Sequence, residues 1–485
     1  MNLSDLAETH RINATLEIGL DHLSQEEQFF TPWEVAALMA ERLIPDPHLP
    51  SSVRVLDPGA GPGILSAAVV ERITSLCPTT EIHITAVEKD ATLIPTLTDT
   101  LKACVAFNPR VTYSVHNADF IYWGSDQQDL FKEASEARKY DLCIQNPPYA
   151  KLPAKSPEST HLKAEGIHAP NLYAAFLAIA KTLLADRGRL TAITPRSFYN
   201  GTYFTRFRQF MFDTTSIESI HTFESRREVF KDTGVLQESI ITTFISSKET
   251  PENVELSTSR SQAHDVTSRT VDYNAVVVGG VIFVPATDKD ENAVAWMSNV
   301  TAALAELPFN VSTGRVVDFR SRDKLATEPT DSAVPIVYPA HFNQQGITHP
   351  KPTVTKPQYY MSDDIESDKN LVPAGSYVLV KRFSAKEEKR RIVAAVWNGP
   401  TAAFDNKTNF FHHNGQGLDQ ELAIGLAIWL NSTYVDDFFR VFSGHTQVNA
   451  GDLKMMPYPT VEQLHALAAL QNTSPDEAVS TVFGS

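Results

Sequence analysis

The chain is short of cysteine, of net positive charge and of long apolar runs, and each shortage closes a class of reading. Cys77, Cys104 and Cys143 are the only cysteines in 485 residues. They are far apart and match no metal or redox spacing, so no structural zinc is expected and a reducing, cytoplasmic setting is. No apolar run approaches the ~20 residues needed to span a bilayer. The N-terminus carries Asp5 and Glu8 and no apolar core, so no signal peptide is expected. The net charge is −16. Uniform acidity repels phosphate, so nucleic-acid binding requires cations gathered on one face. Cations do gather, at Arg187, Arg189 and Arg196, at Arg206 and Arg208, and from Lys381 to Arg391. Glu387 and Glu388 interrupt the last run, which reads either as a contact surface or as a solvated hairpin or helix of mixed charge.

What is present allows two to four domains, at roughly 150 residues each. Val53-Arg-Val-Leu-Asp57-Pro-Gly59-Ala-Gly61-Pro-Gly63-Ile-Leu-Ser reads as strand, glycine turn and helix. Glycine lets backbone approach a ligand closely and tolerates positive φ. The spacing is G-x-G-x-G, which is not the dinucleotide fingerprint, and no Lys follows as in a P-loop. Asp57 at the strand end disfavours phosphate and favours a cationic guest. S-adenosylmethionine carries an ammonium and a sulfonium. The next strand, from Glu81 to Val87, is followed by Glu88, a carboxylate able to take both hydroxyls of a ribose. A third, from Val111 to His116, leads to Asp119 and Phe120, an acceptor for an adenine amino group and a ring to stack on it. Each alone reads equally well as a loop carboxylate or a core ring. The case rests on successive strand tips carrying suitable groups.

A fourth strand, from Tyr140, ends in Asn146-Pro147-Pro148-Tyr149. The prolines remove two donors and stiffen the turn, which holds Asn146 and Tyr149 at the strand tip. An amide oxygen and the Pro147 carbonyl can accept both hydrogens of one exocyclic amino group, while Tyr149 stacks on its base. Those are the needs of methyl transfer to an amino nitrogen.

In this order the motifs resemble the amino-group DNA methyltransferases, specifically the adenine-N6 enzymes of the gamma order. Gln28-Phe-Phe-Thr31-Pro32-Trp-Glu34 resembles the segment that binds the cofactor carboxylate. There Thr31 caps a helix, with Glu34 completing a capping box. Asn171 to Leu184, Gly188 to Ser197 and Glu228 to Ile241 resemble the segments that follow the catalytic turn. The resemblance assigns Phe230, with Phe223 as its rival, to the aromatic that packs a flipped base against Tyr149. Tyr377 to Ala394, which holds Lys381, Arg382, Lys386 and Arg390, and His445 to Leu453 resemble the PstI/BsuBI-type methylases of restriction-modification systems. Pro62 departs from the family, which more often has a small polar residue there. The resemblance implies S-adenosyl-L-methionine as cofactor, double-stranded DNA with a short specific site as substrate, and a restriction endonuclease as functional counterpart. No Cys follows a Pro, which excludes the cytosine-C5 mechanism. Cytosine-N4 enzymes more often begin the turn with Ser, so adenine is preferred.

The fold class expected is α/β, a Rossmann-like methyltransferase domain followed by a mixed α+β target-recognition domain. Residues 1–27 read as a helical arm, 28–248 as the catalytic domain, 249–460 as the target-recognition domain and 461–485 as a tail. Lys151 to Pro170 reads as a mobile loop. Three rivals remain: an RNA or protein amino methyltransferase, a fused restriction enzyme, and a silent DNA-binding subunit. More than 200 residues after the catalytic domain weigh against the first. The 27 residues before the first motif leave no room for the nuclease of the second, and intact Asn146, Tyr149, Glu88 and Asp119 weigh against the third.

Overall fold

The computed structural model describes residues 2–19, 29–133, 139–224, 239–247, 249–259, 265–343, 346–384, 388–443 and 447–484. The chain divides into two compact units, Met1–Val284 and Pro285–Ser485. Among the described residues no helix is long and apolar enough to cross a membrane.

The first unit is built on nine strands: β1 (Ser52–Pro58), β2 (Glu81–Glu88), β3 (Val111–Asn117), β4 (Tyr140–Gln145), β5 (Leu184–Pro195), β6 (Thr215–Phe223), β7 (Ser239–Ser246), β8 (Asn253–Ser259) and β9 (Thr267–Asp272). Their order is β3-β2-β1-β4-β5-β7-β6-β8-β9. The first five pair in parallel, and β7 runs antiparallel between β5 and β6. Helices α1 (Leu3–Ile18), α2 (Trp33–Leu43), α3 (Ile64–Leu76), α4 (Ile94–Phe107), α5 (Phe120–Glu133), α6 (Pro157–Ala164), α7 (Leu172–Thr182) and α8 (Thr205–Phe212) complete it. Parallel strands buried on both faces must be apolar throughout. Val53, Val55, Ile82, Ile84, Leu142 and Ile144 pack with α1 to α4, while Leu56, Val87, Cys143 and Leu190 pack with α7 on the other face. Strand order reverses between β1 and β4, so the connections leaving their carboxyl ends diverge and open a crevice there.

The boundary differs from the one expected at residue 248. β8 adds in parallel to β6, from Ser219↔Glu255 to Phe223↔Ser259, and β9 forms the edge. The polar stretch at Ser246 is thus a turn between strands of one sheet, and the first unit runs on to Val284. The segment expected as a mobile loop holds α6, whose N-cap Ser156 accepts from Ser159 N. Its ends are joined by Leu152 N→Pro170 O and Leu172 N→Ala150 O bonds. The expected N-terminal arm is helical as α1, but it packs on the sheet's covering helices; residues 20–28 lie outside the described residues.

The second unit holds α9 (Asp288–Met297), an antiparallel sheet of β10 (Asn310–Thr313), β11 (Gly375–Lys381), β12 (Ala394–Gly399) and β13 (Thr408–His412), and a second sheet of short strands that includes Ala333–Val337. Two helices separated by a single break follow these sheets. α10 (Gln420–Leu430) ends at Asn431, and Ser432 caps α11 (Thr433–Phe442) through its hydroxyl. The expected tail is part of the core: α12 (Val461–Ala469) and α13 (Pro475–Phe483) bury Leu464, Leu467, Ala478 and Val479.

Gly425 lets α10 and α12 touch backbone to backbone, because a Cβ there would stand 1.9 Å from the Leu464 carbonyl oxygen. Gly425→Ala is expected to destabilise the second unit by about 1–3 kcal/mol through overpacking. Alanine would otherwise favour a helix by ~1 kcal/mol, so the sign discriminates. A urea transition that stays put or moves upward would sink the packing argument.

Candidate active site

The turn after β1 is held against the tip of β2. Gly59 N donates to the Val87 carbonyl, and Gly61 N donates to Glu88 Oε2 at 2.8 Å. Gly61 has φ 54°, and a Cβ there would lie 3.1 Å from the Phe30 ring, so both conformation and space call for glycine. Glu88 Oε1 accepts from Asp90 N at 2.8 Å. Burial pushes the Glu88 carboxyl above its ordinary value, against the pull of these backbone donors.

Asp57 stands behind this turn. It is buried, and its Oδ2 accepts from Ser66 N and Ser66 Oγ at 3.1 and 2.6 Å, which ties β1 to α3. Its Oδ1 has no partner among the described residues. Burial pushes its carboxyl up to about 7. Asp57 is therefore absent from the cavity wall and braces the turn, which corrects its expected place as a ligand contact.

A cavity of about 360 Å³ opens at the carboxyl ends of β1, β2 and β4. Of the residues singled out in the sequence, Thr31, Gly59, Gly61, Glu88, Asp119, Phe120, Asn146 and Pro147 line it together. Asp119 Oδ1 accepts from Ile121 N at 3.0 Å, and Oδ2 accepts from Lys89 Nζ at 2.8 Å. Phe120 is buried with its ring centroid 5.0 Å from that of Phe176, which also lines the wall. Phe30, Leu152, Pro153, Glu158 and Phe176 were missed by sequence reasoning. Phe30 adjoins Thr31, and Leu152 and Pro153 follow the Asn-Pro-Pro-Tyr turn after Ala150 and Lys151. Phe176 carries no local signal, since it reads as one more apolar residue of α7.

Asn146 is held by its amide nitrogen. Nδ2 donates to the Phe29 carbonyl at 2.7 Å and to Thr31 Oγ1 at 3.0 Å. With both hydrogens on acceptors, the carbamoyl oxygen is turned the other way; the reverse orientation would set two oxygens face to face. Oδ1 accepts from the Tyr149 hydroxyl at 3.3 Å.

Thr31 spends its hydroxyl here and caps no helix. The N-cap of α2 is Pro32, and the first helical N–H, of Trp33, donates to Glu8 Oε2 on α1 at 3.0 Å. Tyr149 is buried, edge-on to Tyr173 with centroids 6.3 Å apart, and lies outside the cavity wall. Burial pushes its phenol well above the ordinary range, so it stays a donor. Phe230 lies outside the described residues, and its rival Phe223 is core, packed on the α1–α4 side.

Several of the expected cations are spent on the fold, while Arg187 and Arg206 are exposed. Arg208 is buried and donates to the carbonyls of Gly280, Phe198 and Gly201 at 2.6, 3.0 and 2.8 Å. Its desolvation pulls it down to about 10. Arg189 forms a two-point pair with Glu218 at 2.7 and 2.8 Å. In the second unit Arg390 donates to the Asn431 carbonyl at the end of α10, so it caps a helix rather than facing a ligand. Arg382 Nη1 donates to the Asn406 carbonyl at 3.2 Å. Lys381 Nζ lies over the Phe342 ring, 5.7 Å from its centroid. Lys386 lies outside the described residues.

Residues 97–230 match the Eco57I restriction-modification methylase family model. The chain is 38% identical over 465 residues to the type II methyltransferase M.BsuBI of Bacillus subtilis, covering 92% of this chain and 90% of that protein. It is 39% identical over 472 residues to M.PstI of Providencia stuartii, covering 94% and 91%. Among solved structures, the type IIL restriction-modification enzyme MmeI, determined in complex with DNA, aligns with a TM-score of 0.54 at 12% identity. That alignment spans 98% of this chain and 75% of the other, and it is a likeness of fold.

The raised Asp57 carboxyl has a consequence for stability. Folded protein keeps this proton up to about pH 7, whereas the unfolded chain releases it near the ordinary 3.8. The folded state thus binds more protons in that window, and stability falls as pH rises through it. Asp57→Asn is expected to flatten the decline in unfolding free energy between pH 4 and pH 7. An undiminished slope in urea titrations of the variant would show that other groups carry it.

Proposed function

Since the chain belongs to the type II DNA methyltransferases of restriction-modification systems, we propose that it transfers the methyl group of S-adenosyl-L-methionine to the N6 amino group of an adenine flipped out of double-stranded DNA. The observation that carries this reading is the fixed amide of Asn146: its hydrogens are bound and its oxygen is turned away from them.

The cavity fits the donor. Each Glu88 oxygen accepts one backbone N–H and keeps acceptor capacity for a vicinal diol. Asp119 and Phe120 suit a nucleobase amino group and its ring, and the close backbone at Gly59 and Gly61 leaves room for a chain between them. When bound, the donor supplies an electrophilic methyl on a sulfonium, which needs no covalent enzyme intermediate.

Asn146 Oδ1 and the Pro147 carbonyl accept the two amino hydrogens of the target. This draws the nitrogen toward tetrahedral geometry and frees its lone pair to form the new C–N bond as the S–CH3 bond breaks, with that bond's electron pair staying on sulfur to leave a neutral thioether. One N–H proton then leaves along these acceptors to solvent. The target amino group takes over the acceptor that the Tyr149 hydroxyl occupies. Flipping costs a few kcal/mol of unstacking. Stacking on an aromatic, worth ~1–3 kcal/mol per base, offsets part of it. Tyr149 is our candidate for one face of the base and Phe230 for the other.

In the second unit, Lys381 and Arg382 are the proposed DNA contacts from the expected cluster. Lys381 and Arg382 are half-buried, with one Arg382 nitrogen engaged by the Asn406 carbonyl, and Arg390 is committed to α10. The restriction endonuclease of the same system is the proposed functional counterpart. The three cysteines, all free thiols, suit a reducing cytoplasm.

Asn146→Ala is expected to lower transfer at saturating S-adenosyl-L-methionine by about a hundred- to a thousandfold, as for loss of one transition-state hydrogen-bond partner, and to weaken cofactor affinity measured by calorimetry, because the same amide holds the Phe29–Thr31 wall. The base is identified by expressing the wild type in a host without adenine methylation and sequencing its DNA for modified bases. Methyladenine at every copy of one short motif is the expected result. Methylcytosine there, or turnover by the Asn146 variant within about tenfold of the wild type, would overturn the assignment.

A further inference from the structure

The segments that form two walls of the cofactor cavity are held by one helix that touches neither the cavity nor its ligand. α1 contributes Glu8 and His10, two residues apart. Glu8 Oε2 accepts from Trp33 N, the first N–H of α2, next to the wall segment Phe29, Phe30 and Thr31. Glu8 is itself held by a two-point pair with the buried Arg11, whose Nη2 lies 2.6 Å from Oε1. His10 Nδ1 lies 2.7 Å from Thr100 Oγ1 on α4, and that hydroxyl has two carbonyls in reach, Pro62 at 2.7 Å and Thr96 of its own helix at 3.1 Å, of which Pro62 is the shorter contact and takes the hydrogen. With the hydroxyl hydrogen on Pro62, His10 Nδ1 is the donor to Oγ1.

Pro62 lies inside the glycine turn and lines the cavity. Its ring lacks an N–H, so its carbonyl is the hydrogen-bonding group through which this residue can be held. Thr100 is buried, and a Cβ on Gly63 would lie 3.2 Å from Thr100 Cβ and Cγ2, so the turn and α4 already meet at van der Waals contact. Small displacements of Thr100 must therefore pass into the turn.

We infer that α1 is a positioning element for the cofactor: the His10–Thr100–Pro62 relay and the Glu8–Trp33 bond set the gap between the glycine turn and the Phe29–Thr31 wall. Thr100 and His10 are positioning residues acting through Pro62. The inference rests on the proposed cofactor site and adds a part of the chain that none of its motifs contains. A helix that only buried apolar surface would need Leu3, Ala7 and Ala14, which are buried, but not this relay.

The test uses the full-length protein with S-adenosylhomocysteine as calorimetric probe. Thr100→Val keeps the shape and removes the hydroxyl, and His10→Ala removes its partner. Each is expected to weaken probe affinity and raise the KM for the methyl donor by about tenfold, equivalent to 1.4 kcal/mol, with kcat at saturating donor within twofold. Thr100→Ser is expected to restore wild-type affinity. Leu3→Ala serves as the packing control, with a lowered melting temperature and unchanged probe affinity. Unchanged affinity in Thr100→Val and His10→Ala would overturn the inference, as would an equal loss of affinity in Leu3→Ala. Failure of the wild type to bind the probe would instead overturn the cofactor site itself.

Discussion

Two hydrogen bonds from the Asn146 amide hold this site together. They run to the Phe29 carbonyl and the Thr31 hydroxyl, more than a hundred residues back along the chain. This half-buried amide satisfies both its donors on the segment that leads into α2. That choice brings the start of α2 onto the tip of β4 and encloses the cavity on that side. It also aims the amide oxygen and costs Thr31 its expected role as a helix cap. The vacancy at the head of α2 is filled by a carboxylate from α1. One donor requirement at the catalytic turn thus propagates through three segments to the N-terminal helix.

The carboxylates at the strand tips behave differently from one another although all are acidic residues at the carboxyl ends of parallel strands. Asp57 lies fully inside and is driven toward neutrality by desolvation, so it works as a brace between β1 and α3. Glu88 is nearly as buried, but backbone donors from the turn and from Asp90 oppose the desolvation and aim its oxygens. Asp119 reaches the rim, where Lys89 neutralises it. Burial decides among these outcomes, and it is set by how deep each strand ends in the crevice. The same physics governs the arginines. Arg208 offsets its desolvation by joining the carbonyls of Gly280, Phe198 and Gly201, and the loop after β5 is fastened by it.

An enzyme of net charge −16 that acts on DNA has few cations to spare. Several of the arginines that look available in the sequence are engaged in holding helix ends and loops. Electrostatic attraction is then concentrated in a small number of side chains, and specific contacts must carry much of the selectivity. Such an arrangement disfavours binding that rests on charge alone.

The sequence by itself determined the sheet's parallel half, the glycine turn, the Asn-Pro-Pro-Tyr turn and eight residues of the cavity wall. Those features are written in patterns a few residues long: apolar runs for doubly buried strands, glycine where φ is positive, proline where the chain must leave a strand. The order of these motifs carried the family. Tertiary structure alone decided the rest. That β8 and β9 extend the first sheet is a matter of pairing register, which no polar turn at Ser246 announces. That Phe176 lines the cavity depends on how α7 is rotated over the sheet. Thr31, Asp57 and Arg390 each have a local role that their neighbours suggest and a different one that distant groups impose. Hydrogen-bond partners are chosen by proximity in space, and a buried donor or acceptor left unpaired costs more than any local preference returns. Glu8 at the head of α2 is the plainest case: nothing within a helical turn of Trp33 foretells it, and only the packing of α1 supplies it.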